Sequence, residues 1–131
     1  MAAVLTRLRA VLVAVLIAGL WACPLAVAQT RDPSGTYVVS GTAPNGQAYG
    51  PGTVAVRRQD QRFEVVWQIG TDAYAGIGLM VGDQLSVAII DRTGSTLFIA
   101  VYRPTGQGDW QGAWAGTPGA GVGIEVWQVR R

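Results

Sequence analysis

The chain has 131 residues, enough for one domain, with ten Arg, no Lys, eight acidic residues and no His. Arg7 and Arg9 fall near the start; beyond residue 28 eight Arg balance eight acids, so most of the chain is neutral and lacks the basic footprint of a nucleic-acid binder. The lack of His, with a single Cys at position 23, removes the commonest general base, the commonest transition-metal ligand and, past that position, the thiol nucleophile.

In chain order the first element is an export signal. Arg7 and Arg9 precede an uncharged apolar run from Ala10 to Ala22, Pro24 interrupts it, and Ala26-Val27-Ala28 presents small residues where a signal peptidase reads. The pattern predicts a secretion signal over residues 1–28, cut before Gln29, with the remainder periplasmic or extracellular. Leu20-Trp21-Ala22-Cys23 offers an alternative, a lipoprotein anchored at Cys23, although Trp21 is bulky for that motif. Lipidation at Cys23 is the one route by which the sequence points to a membrane.

Residues 29–34 read as a short linker, and residues 35–131 as a single domain. No segment has a helical period, and 17 glycines after residue 28 punctuate short runs rich in Val, Ile, Tyr, Trp and Thr. Eight strands are predicted: Gly35–Ser40, Gly52–Arg58, Arg62–Ile69, Ala73–Val81, Gln84–Asp91, Thr96–Arg103, Asp109–Gly116 and Val122–Arg130. Short turns such as Pro44-Asn45-Gly46 and Gly70-Thr71-Asp72 join neighbours and leave no room for a crossover helix. The expected fold is therefore all-β, an antiparallel up-and-down meander of about eight strands closed into a small barrel.

Alternation assigns faces for some strands. Phe63, Val65, Trp67 and Ile69 share the inward face of the third strand, so Trp67 belongs to the core. Leu85, Val87 and Ile89 do the same in the fifth. The sixth is apolar on both faces, with Leu97, Ile99 and Val101 opposing Phe98, Ala100 and Tyr102. It lies under another layer or displays an apolar outer patch.

The candidate site residues are few. Asp60, Asp72, Asp83, Asp91 and Asp109 fall at strand ends, where Asp caps its own backbone. Only Glu64 and Glu125 lie within strands, and Glu64 points outward, which makes them a poor glycosidase pair. If the face of Trp127 is inward, Glu125 is buried and needs a partner, for which Arg103 is a candidate. If Val122, Ile124 and Val126 point inward instead, Glu125 meets water. Trp110, Gly112, Trp114 and Gly116 share a face of the seventh strand, and Tyr74, Gly76, Gly78 and Met80 a face of the fourth. Rings beside glycines make either a ligand shelf of Trp110, Trp114 and Tyr74 or simple packing in which rings fill the gaps. Arg57, Arg58 and Arg62 cluster at a hairpin as a solvated loop or a surface patch.

The phrases Gly35-Thr36-Tyr37, Trp67-Gln68-Ile69-Gly70, Tyr74-Ala75-Gly76-Ile77-Gly78-Leu79, Leu85-Ser86-Val87 and Gly112-Ala113-Trp114 resemble a family of small secreted bacterial domains, some of which carry a fibronectin-binding label. The layout also resembles avidin-like and lipocalin-like barrels. These resemblances imply an exported β-barrel and assign no contact residue.

The expectation is a non-enzymatic exported binding module. Its ligand is a small apolar or aromatic molecule in the barrel, or an extracellular macromolecule on its surface. No catalytic residue, metal or cofactor is assigned. The alternative is a structural or adhesive envelope protein with a solid barrel, since eight strands enclose an interior that side chains just fill or that just holds one small ligand.

Overall fold

The computed structural model describes residues 31–91 and 93–131. The expected secretion signal, the cut before Gln29 and Cys23 lie outside the described residues. Eight strands follow in order: β1 (Gly35–Thr42), β2 (Ala48–Gln59), β3 (Arg62–Ile69), β4 (Asp72–Val81), β5 (Gln84–Ile90), β6 (Leu97–Gly106), β7 (Asp109–Thr117) and β8 (Gly123–Val129). Each pairs antiparallel with the next, and β8 returns to β1, so the sheet is a closed barrel. Among the described residues there is no helix.

Two strands extend well beyond their expected ends. β2 begins at Ala48 because the ladder with β1 resumes past an irregularity between Val39 and Gly41, pairing Tyr49 with Gly41. Pro51 between two glycines reads as a break in sequence, yet an irregular register accommodates it. β6 likewise passes Pro104, with a shift between Pro104 and Gly106.

Period-2 alternation sends Phe63, Val65 and Trp67 of β3 and Leu85, Val87 and Ile89 of β5 into the core, as expected. The ambiguous β6 turns Ala100 and Tyr102 inward and displays Ile99, 60% exposed, with Leu97 and Val101. Ile77 of β4 and Ile90 of β5 are exposed too, so this side of the barrel has an apolar outer wall. In β8 the face of Trp127 is inward, and Glu125 goes with it, the one buried charged residue of the described structure.

The two ends differ. At one, Tyr37, Trp127 and Tyr102 form a ring stack, with centroids 5.7 Å apart for Tyr37–Trp127 and 4.0 Å for Tyr102–Trp127. Trp110 packs beside them, paired in register with Trp127. Burying one such side chain stabilises by about 1.5–3 kcal/mol, so this half carries much of the core energy. The segment read as a linker folds over this end: Tyr37 donates its hydroxyl hydrogen to the Pro33 carbonyl at 2.8 Å, and Asp32 meets Arg58 at 3.5 Å. The other end, bounded by the β1–β2, β3–β4, β5–β6 and β7–β8 connections, is open.

Candidate functional site

The open end is built from rings seated against glycines. Tyr49 lies beside Gly41, Tyr102 beside Gly112, Phe98 beside Gly116 and Trp114 beside Gly123, each pair being direct cross-strand partners. A Cβ at any of these glycines would collide with the neighbouring ring. The glycines thus supply space, and the rings cover the backbone they bare.

An edge-to-face chain results. Tyr74 meets Phe98 at 6.0 Å and 84°, Phe98 meets Trp114 at 5.7 Å and 73°, and Trp114 meets Tyr49 at 6.4 Å and 64°. Such geometry sets the electropositive edge of one ring against the face of the next. These rings, with Trp67, Ile69, Ile89 and Tyr102, wall a cavity of about 260 Å³ that has Glu125 at its floor and Asp72 at its mouth.

Glu125 is 5% exposed and is held by four donors. Its Oε1 accepts from Trp67 Nε1 at 2.9 Å, Tyr102 Oη at 2.9 Å and Trp127 Nε1 at 2.6 Å. Its Oε2 accepts from Tyr49 Oη at 2.7 Å, and Trp114 Nε1 in turn donates to Tyr49 Oη at 2.9 Å. This is an acceptor surrounded by donors, the arrangement that suits a carboxylate. One side chain therefore ties together β2, β3, β6 and β8. Burial first, and then the negative Glu125 beside them, push the Tyr49 and Tyr102 phenols far above their ordinary range, so both stay protonated as donors.

Of the residues singled out in sequence, Tyr74, Trp114 and Glu125 come together here. Trp110 does not. It is 2% exposed at the closed end, four residues and about 13 Å of strand from Trp114, so it packs rather than lining the shelf. Arg103 is also misplaced as a partner for Glu125. Tyr102 points inward, so alternation turns Arg103 out to solvent, where it donates to Gln84 Oε1 at 3.2 Å. Neutral indoles and phenols fill the role expected of an Arg.

Arg57, Arg58 and Arg62 lie outside the barrel at the β2–β3 turn. Arg57 is 3.7 Å from Glu64, Arg58 lies 4.7 Å over the Phe63 ring, and Arg62 donates to Gln59 at 3.3 Å. Their charges are thus spread over local contacts on an exposed hairpin.

Sequence reasoning missed Tyr49, Phe98, Trp67, Tyr102 and Trp127 as parts of the site. For three of them, Tyr49, Phe98 and Tyr102, the signal was the glycine opposite, which is visible only once the register is known. Among the described residues no three His, Cys, Asp or Glu gather where they could hold a metal ion.

No family model and no curated protein matches the chain. Among solved structures, a redesigned β-barrel is similar, with a TM-score of 0.64 over 74% of this chain and 91% of that chain at 15% identity. At that identity the likeness establishes the barrel fold and carries nothing about function.

Proposed function

We propose that the barrel is a non-enzymatic binding module that takes one small, flat, apolar or aromatic molecule in its open end. The observation that carries this reading is the asymmetry of the interior. Large rings fill one half, while Tyr49, Tyr74, Phe98 and Trp114 in the other wall a cavity of about 260 Å³ with a fixed polar group at its base. Concave, mostly apolar sites with a few convergent polar groups are the usual form of a small-molecule pocket. The volume lies below the ~300–1,000 Å³ of drug-sized sites, so the ligand has one or two rings. The export signal read over residues 1–28 supports a role outside the cytoplasm.

The test is a titration of the exported protein with mono- and bicyclic aromatics, followed by intrinsic Trp emission. Saturable quenching that is lost in Trp114→Ala supports the pocket. Emission that never saturates, or saturation untouched by Trp114→Ala, overturns it.

A second reading, an envelope protein that docks through its outside, has one observation in its favour. Ile77, Ile90 and Ile99 are 56%, 59% and 60% exposed on adjoining strands, more apolar display than scattered surface residues require.

A further inference from the structure

Resting on that reading of the open end, we propose that the ligand is a small organic cation: an aromatic amine or quaternary ammonium whose charge sits over Glu125 and among the ring faces.

Three independent features of the cavity carry this. The first is the donor and acceptor count on its floor. Oε1 of Glu125 takes three hydrogen bonds and Oε2 takes one, from Tyr49. The four donors match the roughly four acceptor sites of a carboxylate, and Oε2, with a single donor, is the less crowded oxygen. The donors around Glu125 are already committed, and the Tyr74 hydroxyl is a further donor nearer the mouth. The indole hydrogens of Trp67 and Trp114 and the hydroxyl hydrogens of Tyr49 and Tyr102 all point at Glu125 or at Tyr49. A ligand that must accept hydrogen bonds or bring a negative charge finds those donors spent. A ligand that carries a positive charge instead meets a carboxylate with one lightly held oxygen.

The second feature is charge. Glu125 and Asp72 line the cavity, and among the described residues no Arg does. The described Arg side chains sit toward the far end. Arg57, Arg58 and Arg62 flank the β2–β3 turn, Arg103 lies late in β6, and Arg131 pairs with Asp109 at 3.6 Å. At the mouth, burial and then the negative Asp72 and Asp91 push the Tyr74 phenol up. Asp72, Asp91 and Glu125 outnumber Arg92, the one Arg that the sequence places in a connection at this end, and such a balance at a low-dielectric cup raises the local concentration of cations.

The third feature is the wall. Tyr49, Tyr74, Phe98, Tyr102 and Trp114 surround the space. Ring faces attract a cation through their quadrupoles, most strongly when water is excluded, and cages of this kind suit alkylated ammonium groups. An apolar ligand gains only area from the same walls.

The experiment compares phenyltrimethylammonium with its neutral isostere tert-butylbenzene, and with benzenesulfonate as the anion, by Trp emission on the exported protein. The expected result is tighter binding of the cation than of the isostere by about tenfold or more, with the anion weakest. Glu125→Gln should cut the advantage of the cation over the isostere several-fold, leaving the part that the ring faces and Asp72 supply. Asp72→Asn leaves the buried network intact and, because Asp72 is on the exposed rim, keeps the test valid if Glu125→Gln fails to fold. It should weaken the cation by about two- to threefold and leave the isostere unchanged. Equal affinity for cation and isostere, or preference for the anion, overturns the cation assignment while the pocket stands. Binding of none of the three overturns the pocket as well.

Discussion

Trp110 and Trp114 share one strand and one face, yet their removal should have different consequences. Trp110 is 2% exposed and enclosed at the filled end of the barrel. Truncating it to Ala leaves a void that packed neighbours cannot close, at a cost of about 3–5 kcal/mol. Trp114 is half-buried and has the cavity on one side. Its loss removes edge contacts to Phe98 and Tyr49 and one hydrogen bond to Tyr49, and it enlarges a space that already exists. Contacts on one ring face plus about 1 kcal/mol for the hydrogen bond give roughly half the Trp110 cost, about 1.5–2.5 kcal/mol. Urea denaturation followed by far-ultraviolet circular dichroism resolves such a gap in a domain whose whole stability is of order 5–15 kcal/mol. In thermal unfolding each kcal/mol should move the midpoint by about 4–8 °C. Equal destabilisation by Trp110→Ala and Trp114→Ala would refute the reasoning, because it would mean that Trp114 is packed on both faces.

Tyr49→Phe removes the hydroxyl that links Trp114 to Glu125. It should cost about 1–3 kcal/mol, since a buried carboxylate oxygen loses its donor, and an unchanged urea midpoint would contradict that bridge. Gly123→Ala places a methyl inside the Trp114 indole. It should displace that ring and weaken ligand binding more than it lowers stability, which emission titration and denaturation can compare directly. The phenols of Tyr49 and Tyr102 are raised by burial and by the neighbouring Glu125 charge. Below the ordinary value of 10.0 they are protonated in the folded and unfolded chain alike; above it the unfolded chain sheds protons that the folded barrel keeps. Stability should therefore fall as pH rises past that value, with the tyrosinate absorbance of Tyr49 and Tyr102 appearing only as the barrel unfolds. Tyrosinate from all four tyrosines in a still-folded protein would contradict the burial.

The strand pattern was legible because it needs only local information. Alternation in Arg62–Ile69 and Gln84–Ile90 marks the inward face of β3 and β5 without knowledge of any partner. Strands with one hydrophobic pattern on both sides, such as β6 and β8, leave the choice to long-range pairing. In β8 that choice decides whether Glu125 is a surface residue or the floor of a cavity. Buried carboxylates are usually expected beside Arg, and Arg103 was the natural candidate from its strand position. The structure meets the same need with two indoles and two phenols drawn from four strands, a solution with no signature in linear spacing. Tyr49 was hidden for a different reason. The expected second strand began only at Gly52 and left Tyr49 outside it, and only the irregular pairing with β1 carries the strand back through Pro51 and Gly50. Trp110 and Trp114 looked equivalent because period-2 reading gives the face of a residue and not its depth along the barrel axis.

Side-chain indole N–H resonances test the central claim most directly. Trp67, Trp110, Trp114 and Trp127 report from the described barrel, and nitrogen-15 correlation spectra separate their indole signals once each is assigned by single substitution. Titration with phenyltrimethylammonium should move the Trp114 signal most and the Trp67 signal next, because both line the cavity. The Trp110 signal, at the filled end, should stay in place. Four stationary indole signals, or a shift at Trp110 as large as that at Trp114, would contradict a ligand site in the open end of the barrel.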